Sequence, residues 1–248
     1  MKINFYGIEL PEGKFKYRDE RLEALAVKCN PDKVSPYFVE FIHGGGGGGA
    51  GDPSRAEAFV VPKTKILDIL IYDIEKIESR LANATDGKEI SALKKALDAL
   101  EKEIPLCDVN TITEDEAEIK YLKNLAPVSL KPVVVLEDNE IPPTIDEDYV
   151  NSIIKTTLKK AGVVFFYTAG KKEVRAWPVP ENSTIVECAA KIHTDLARGF
   201  IKADIITLED FIKAHNMNDA REKNLVKIVG KDYLIKDGDI IEIRFNVT

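Results

Sequence analysis

VVFFYTAGKKEVRAWPV, residues 163–179, decides the fold of the second half of the chain. Two runs rich in β-branched and aromatic residues flank Gly170–Lys171, the pattern of two strands folding back on each other. Residues 184–198 follow with Ile185, Cys188, Ala189 and Ile192 at helical spacing, which predicts one helix with a single buried stripe. FIKADIIT (200–207) reads as a strand, and Thr207 with Asp210 three residues on predicts a capped short helix. KIVGKDYLI (227–235) and DIIEIRFNV (239–247) read as two strands separated by Asp237–Gly238, a strong turn signal. Two hairpin-like pieces around one helix in 163–248 predict a β-grasp, the ubiquitin-like roll.

Working outward, residues 1–162 alternate strand and helix patterns, the signature of an α/β layer with a parallel sheet. KINFYGI (2–8) predicts a buried strand, LPEGK a turn, and Asp19 the start of a helix carrying Leu22, Leu25, Ala26 and Cys29. YFVEFI (37–42) predicts a second strand, after which HGGGGGGAGDPS (43–54) must be loop, because each of six consecutive glycines loses maximal backbone entropy on ordering. Leu67, Leu70, Ile74, Ile77 and Leu81, then Ile90, Leu93, Leu97, Leu100 and Ile104, alternate spacings of three and four. They predict a helical hairpin with a narrow, coiled-coil-like seam across 64–126, broken at Asn83–Gly87. Thr113 and Glu116 make a capping box for a third helix reaching Leu125. KPVVVL (131–136) predicts a buried parallel strand, and a helix from about Tyr149 to Ala161 leads into the C-terminal roll. The expected domains are therefore 1–63 with 127–162, the hairpin 64–126, and 163–248.

The chain has 248 residues, 44% hydrophobic and 31% charged, an ordinary globular mixture with length for one to three domains. No apolar run approaches the roughly 20 residues that span a bilayer, so no membrane association is expected, and the N-terminal apolar stretch is too short for a secretory signal. Cys29, Cys107 and Cys188 are odd in number and far apart, which predicts reduced thiols in a cytoplasmic protein. His43, His193 and His215 are equally scattered, so neither the cysteines nor the histidines have metal-site spacing. Net charge is −7, which argues against non-specific coating of nucleic acid. Residues 163–248 carry 13 basic and 13 acidic side chains and the first 162 carry the whole deficit. A nucleic-acid contact would thus sit on the C-terminal third.

FFYTAGKKEVRAWPVPENSTIVECAAKIHTDLARGFIKADIITLEDF (165–211) and GKDYLIKDGDIIEIRFNV (230–247) resemble the C-terminal TGS-type domain of the YchF proteins, Obg-related P-loop NTPases. DERLEALAVKCNPDKVSPYFVEFI (19–42) is similar to the family's segment before its Asp-x-x-Gly motif. The hairpin and KPVVVL match its coiled-coil insertion and fifth strand. The resemblance implies a truncated P-loop-NTPase-like parallel sheet with a helical-hairpin insertion and a TGS domain. It also implies a ribosome or RNA partner through that domain and a protein partner through the hairpin.

Three departures from the family pattern bear on activity. A P-loop is G-x4-G-K-[ST], its amides and lysine cradling phosphates and its hydroxyl holding Mg²⁺. Here Gly7 lies one residue too far from Gly13–Lys14, Phe15 lacks a hydroxyl, and the P-loop helix appears in the sequence as a deletion. Where the family has Asp-x-Ala-Gly, His43 replaces the aspartate, a poor Mg²⁺ ligand. Gly44, Gly46 and Gly49 in the run after it form either an anion-binding nest or a plain linker. For the family's base-reading Asn-x-x-Glu, the chain offers Asp138, Asn139 and Glu140, either as mimics or as a solvated acidic loop. The expectation is no catalytic residue, no metal site and no cofactor: a degenerate, non-hydrolysing adaptor, with Lys171, Lys172, Arg175, His193, Arg198 and Lys202 as candidate partner contacts. The alternative is a switch that binds ATP or GTP with Mg²⁺ through a rebuilt loop, using Gly13 and Lys14. Trp177 is expected in the core or at a domain interface rather than as a base-stacking platform, and His193 reads either as a capped or hydrogen-bonded structural histidine or as a functional one.

Overall fold

The computed structural model describes residues 1–44, 55–113 and 116–246. The chain divides into two compact units, Met1–Phe15 with Val39–Ala161, and Lys16–Phe38 with Gly162–Thr248.

The first unit is built on a five-stranded sheet: β1 (Lys2–Phe5), β2 (Gly13–Lys16), β4 (Phe38–His43), β5 (Ala58–Pro62) and β6 (Val133–Leu136), in the order β2-β4-β1-β5-β6. β1 runs parallel to β4, with Ile3 opposite Phe41, and parallel to β5, with Asn4 opposite Phe59. β5 continues the parallel arrangement into β6. All five residues of β5 are buried, as a strand covered on both faces requires.

One face is covered by α2 (Leu67–Leu81), α3 (Gly87–Glu101), α4 (Asn110–Thr113) and α5 (Glu116–Leu125). Phe59, Val61 and Val133 from the sheet share one core with Leu70, Ile77, Leu93, Leu100 and Leu122 from these helices. Burial of each aliphatic side chain contributes about 1.5–3 kcal/mol. Asp73 ties the layer together from inside: its buried carboxylate accepts the Val128 and Ser129 amides at 2.7 Å each. The other face is packed by α6 (Glu147–Lys160), which buries Val150, Ile153, Ile154 and Leu158. Asp146 caps α6 by accepting from the Tyr149 amide, and Lys159 and Lys160 close its last turn, both favourable to the helix dipole.

The expected narrow seam differs from what forms. Leu67 is 47% exposed while Ile69 is buried, and Ala92, Ala96 and Ala99 are buried alongside Leu93 and Leu100. A hairpin that packs only on itself needs a two-residue stripe; one that also lies on a sheet needs a broader apolar face. Ile104, 40% exposed, falls beyond the end of α3. The capping box from Thr113 to Glu116 spans residues outside those described.

The second unit is a six-stranded mixed sheet, β10-β9-β11-β7-β8-β3. β7 (Val163–Ala169) and β8 (Glu173–Pro180) form the expected antiparallel hairpin, Phe166 opposite Trp177. β9 (Phe200–Ile206) pairs antiparallel with β11 (Ile240–Phe245) and with β10 (Lys227–Val229). β11 lies parallel to β7. The expected hairpin of β10 with β11 does not form, because β9 lies between them and the strand expected over 227–235 ends at Val229. The helix expected over 184–198 is two: α7 (Ile185–Ile192) and α8 (Thr194–Arg198), broken where His193 takes an extended backbone, φ −163°. α7 opens with a complete capping box, Thr184 and Glu187. α9 (Leu208–Lys213) starts at the predicted Thr207 cap, and α10 (Met217–Glu222) carries no prior signal.

Residues 16–38 were expected in the N-terminal α/β core, and here the boundary moves. α1 (Glu20–Cys29) and β3 (Lys33–Ser35) belong to the second unit: β3 pairs parallel with β8, Val34 opposite Val174. The α7 face of the sheet holds Phe166, Trp177, Ala203 and Ile241. Toward α1, Tyr17 stacks on Phe165 with centroids 5.6 Å apart, and the Tyr167 hydroxyl donates to Asp19 at 2.6 Å. Asp19 also accepts from the Arg21 and Leu22 amides as N-cap of α1. A single carboxylate thereby starts the helix and pins it to the sheet.

Candidate functional site

In an open parallel sheet, ligands bind beyond the carboxyl ends of the strands where successive connections leave in opposite directions. That point is β1 here, with β4 on one side and β5 on the other. The residues beyond the strand ends are Tyr6 and Gly7 after β1, Gly44 after β4, Lys63–Lys65 after β5 and Glu137–Glu140 after β6.

The chain itself occupies these positions. Gly7 has φ +63°, and a Cβ there would come within 2.6 Å of the Lys65 side chain, so the Lys65 stem lies against the turn. A Cβ at Gly44 would collide with the Tyr6 ring. That ring stacks on Phe59 at 6.4 Å, and burial pushes its hydroxyl pKa up. The Gly44 amide donates to Phe5 O at 2.9 Å and the Tyr6 amide to Val60 O at 3.1 Å, so neither is free for an anion. His43 sets its ring edge-on to Phe5, 5.2 Å between centroids.

Gly13 and Lys14 sit inside β2, the edge strand. Strand alternation turns Lys14 to solvent and sets Phe15 edge-on to Phe41 at 5.6 Å. From β1 the chain passes through residues 6–12 into β2, and no helix starts between them. Helix amides and dipole, half of a phosphate cradle, are therefore not supplied at this turn.

The base-reading loop is also engaged. Asp138 accepts from the Thr64 hydroxyl at 2.7 Å and the Thr64 amide at 3.2 Å, while Glu137 pairs with Lys63 at 3.2 Å. The Glu140 amide turns back to Glu137 O at 2.9 Å. Asp138 thus serves as an internal cap. Among the described residues, no three His, Cys, Asp or Glu side chains converge to hold a metal ion. Gly46 and Gly49 lie outside the described residues. These surroundings do not fit Mg²⁺–ATP or Mg²⁺–GTP in the manner of a P-loop.

In the second unit the six basic and histidine candidates separate into two groups. Lys171 and Lys172 are exposed at the β7–β8 turn, and Arg175 lies over the Trp177 ring, 3.9 Å from its centroid. Trp177 is buried and donates through its indole N–H to Thr168 at 3.0 Å. At the other group, His193 and Arg198 both turn to Asp195, at 3.5 and 3.0 Å, with Lys202 exposed on β9. His193 caps α8 by accepting the Asp195 amide at 3.1 Å. Sequence reasoning missed Lys65 and Tyr6, which fill the crevice; neither stands in a motif, and only the parallel register brings them to it.

Sheet order, strand direction and helical layers make the first unit an α/β fold in which β4, β1, β5 and β6 run parallel. The YchF-GTPase_C family model, described as "Protein of unknown function (DUF933)", matches residues 163–246. The chain is 28% identical to the ribosome-binding ATPase YchF of Haemophilus ducreyi over 330 residues, covering 98% of this chain and 91% of that protein. The Bacillus subtilis protein of the same name is 28% identical over 336 residues, with the same two coverages. The structure of the Schizosaccharomyces pombe YchF GTPase superposes with a TM-score of 0.73 at 18% identity, covering 96% of this chain and 88% of that one, a likeness of fold. Over almost its whole length the chain is therefore similar to the YchF-like P-loop NTPases, and residues 163–246 match the model of their C-terminal domain.

Proposed function

We propose that this chain is a non-hydrolysing YchF-like adaptor whose C-terminal unit, a TGS-type β-grasp, carries its contact with a ribosome. One observation carries the reading: β1 leads into a strand, β2, where a phosphate-binding turn and helix would stand. Phosphoryl transfer depends on amides, a lysine and Mg²⁺ acting together on the developing charge. Gly13 and Lys14 lie in an edge strand, the Gly44 amide is bonded to β1, and Asp138 caps Thr64. The aligned span of 330 positions exceeds the 248 residues of this chain, so its relatives carry segments with no counterpart here. The ribosomal partner is supported by relatives named ribosome-binding. Charge agrees: the second unit holds 18 basic and 17 acidic residues, the first 17 and 25.

Two measurements test this. Equilibrium binding of labelled ATP and GTP, with and without Mg²⁺, is expected to give no Mg²⁺-dependent signal. Micromolar Mg²⁺-dependent binding that is lost in Lys14→Ala would turn the reading to a nucleotide switch. Co-sedimentation with purified ribosomes is expected at low salt and to weaken as salt rises; no co-sedimentation at any salt removes the adaptor role.

A further inference from the structure

The second unit is assembled from two pieces of chain, residues 16–38 and 162–248, and residues 39–161 between them belong to the first. Within the second unit only non-covalent contacts join the pieces. Tyr167 donates to Asp19 at 2.6 Å, Arg21 pairs with Asp237 at 2.8 Å, and the Asp32 amide donates to Lys171 O at 2.9 Å. Tyr17 and Tyr37 pack on Phe165 with centroids 5.6 and 5.5 Å away, and β3 pairs with β8. None of these contacts requires that both pieces come from one molecule. The same set forms between two copies wherever the covalent joint lets the C-terminal piece leave. That joint is short: α6 ends at Lys160 and β7 begins at Val163. Gly162 in it has φ +61°, yet a Cβ there would meet no atom within 4 Å. A side chain at this position would therefore oppose the closed joint through backbone conformation alone, without a clash. A joint this short allows few closed geometries, the circumstance in which elements exchange between copies.

We propose that two copies of this chain exchange their 163–248 pieces, each completing its second unit with residues 16–38 of the other. The exchanged dimer is closed and two-fold, because each copy gives and receives the same piece. Every contact within a second unit is kept, and only the joint at 161–162 changes its path. The partner is thus a second copy of this chain, and the surface it completes is the sheet face at Phe165 and Tyr167 with the free edge of β8. The inference goes beyond the adaptor reading and does not rest on it.

The test refolds the full chain from denaturant at low and at high protein concentration and weighs the products by light scattering. The parent is expected to give monomer at low concentration and a dimer fraction at high concentration. Gly162→Val is expected to raise the dimerisation constant at least about tenfold, since the strain falls on the closed joint and each dimer relaxes two of them. A flexible insertion of about six Gly and Ser residues after Ala161 is expected to remove the dimer, because a longer joint closes easily. A charge swap separates exchange from contact through another surface. Arg21 lies on one piece and Asp237 on the other, so Arg21→Asp and Asp237→Arg each set like charges together within one copy. Refolded as a mixture, the two variants regain opposite charges in both second units only by exchange. Native mass spectrometry is then expected to show heterodimer in excess of the statistical mixture. A statistical mixture, or a dimer indifferent to Gly162→Val and to the insertion, means that the copies meet elsewhere and overturns the proposal. Parent and Gly162→Val protein that stay monomeric at every concentration overturn it as well. Should the charge variants fail to fold, the Gly162→Val and insertion arms decide alone, since neither alters a contact between the pieces. Ribosome co-sedimentation of the same samples tests the adaptor reading separately.

Discussion

The two sheets handle polar groups at their functional ends in opposite ways. At the carboxyl edge of the first sheet, carbon and backbone fill the space: the Lys65 stem lies against Gly7, the Tyr6 ring against Gly44, and amides pair with neighbouring strands. In the second sheet, buried charge is kept and fully partnered. Asp204 is completely buried; it accepts from Arg244 through two nitrogens, at 2.7 and 3.0 Å, and from Arg221 at 2.8 Å, while Arg221 also reaches Glu242 at 2.7 Å. A crevice that must admit a charged ligand needs unpaired donors, whereas a scaffold can tolerate buried charge only with every donor used. By that criterion the Gly44 and Tyr6 amides at the first edge are already engaged by neighbouring strands, and Asp204 is part of the scaffold of the second unit.

Four substitutions test the contrast. Asp204→Ala leaves two arginines facing each other without their acceptor and is expected to cost about 3–5 kcal/mol, measured by denaturant unfolding. A loss under about 1 kcal/mol would show that the buried network is dispensable. Asp73→Ala, the corresponding change in the first unit, strands two buried amides and is expected to cost about 3 kcal/mol. Hydrogen exchange should localise the loss to residues 126–131. Tyr167→Phe removes the hydroxyl from Asp19 and is expected to cost about 2 kcal/mol, with faster exchange across α1. Normal protection of α1 in this variant would mean that packing alone holds the segment.

The smallest effect concerns pH. Hydrogen bonding from Ser35, then the Lys33 contact, holds the Glu173 carboxyl below its ordinary value. A carboxylate with a depressed folded-state pKa adds stability that is fully present above its unfolded value near 4.3 and is lost as pH falls through the folded value. Glu173→Gln is therefore expected to lower the unfolding midpoint slightly near neutrality and to flatten its fall below about pH 4.3. An identical acid slope in parent and variant would remove Glu173 from the account of how β3 is held.

The elements legible in the sequence are those with short-range signals. Periodicity announces the hairpin helices, the run of apolar residues in β6 announces a buried strand, and Gly170–Lys171 announces the β7–β8 turn. Pairing between distant segments has no such signal. Val34 meets Val174 through a parallel register across 140 residues, and nothing local in KVS (33–35) says which sheet it joins. The same holds for the crevice: departures from the phosphate-loop motif are readable in the sequence, but the placing of Tyr6 against Gly44 and Lys65 against Gly7 depends on sheet order. His193 looks like part of a continuous helix because its neighbours keep the apolar spacing; its side chain instead takes the Asp195 amide and starts a new turn.

The interleaving of the two units bears on how this chain is made. Residues 16–38 leave the ribosome early, yet the strands on which α1 and β3 pack, β7 and β8, are complete only at Pro180, some 140 residues later. At elongation rates of about 5–20 residues per second, that wait lasts on the order of 7–28 s. Throughout it, Leu22, Leu25 and Tyr17 lack the hairpin that covers them. Premature termination before β7 would release a polypeptide with a sticky amphipathic segment near its front, a natural handle for chaperones and proteases.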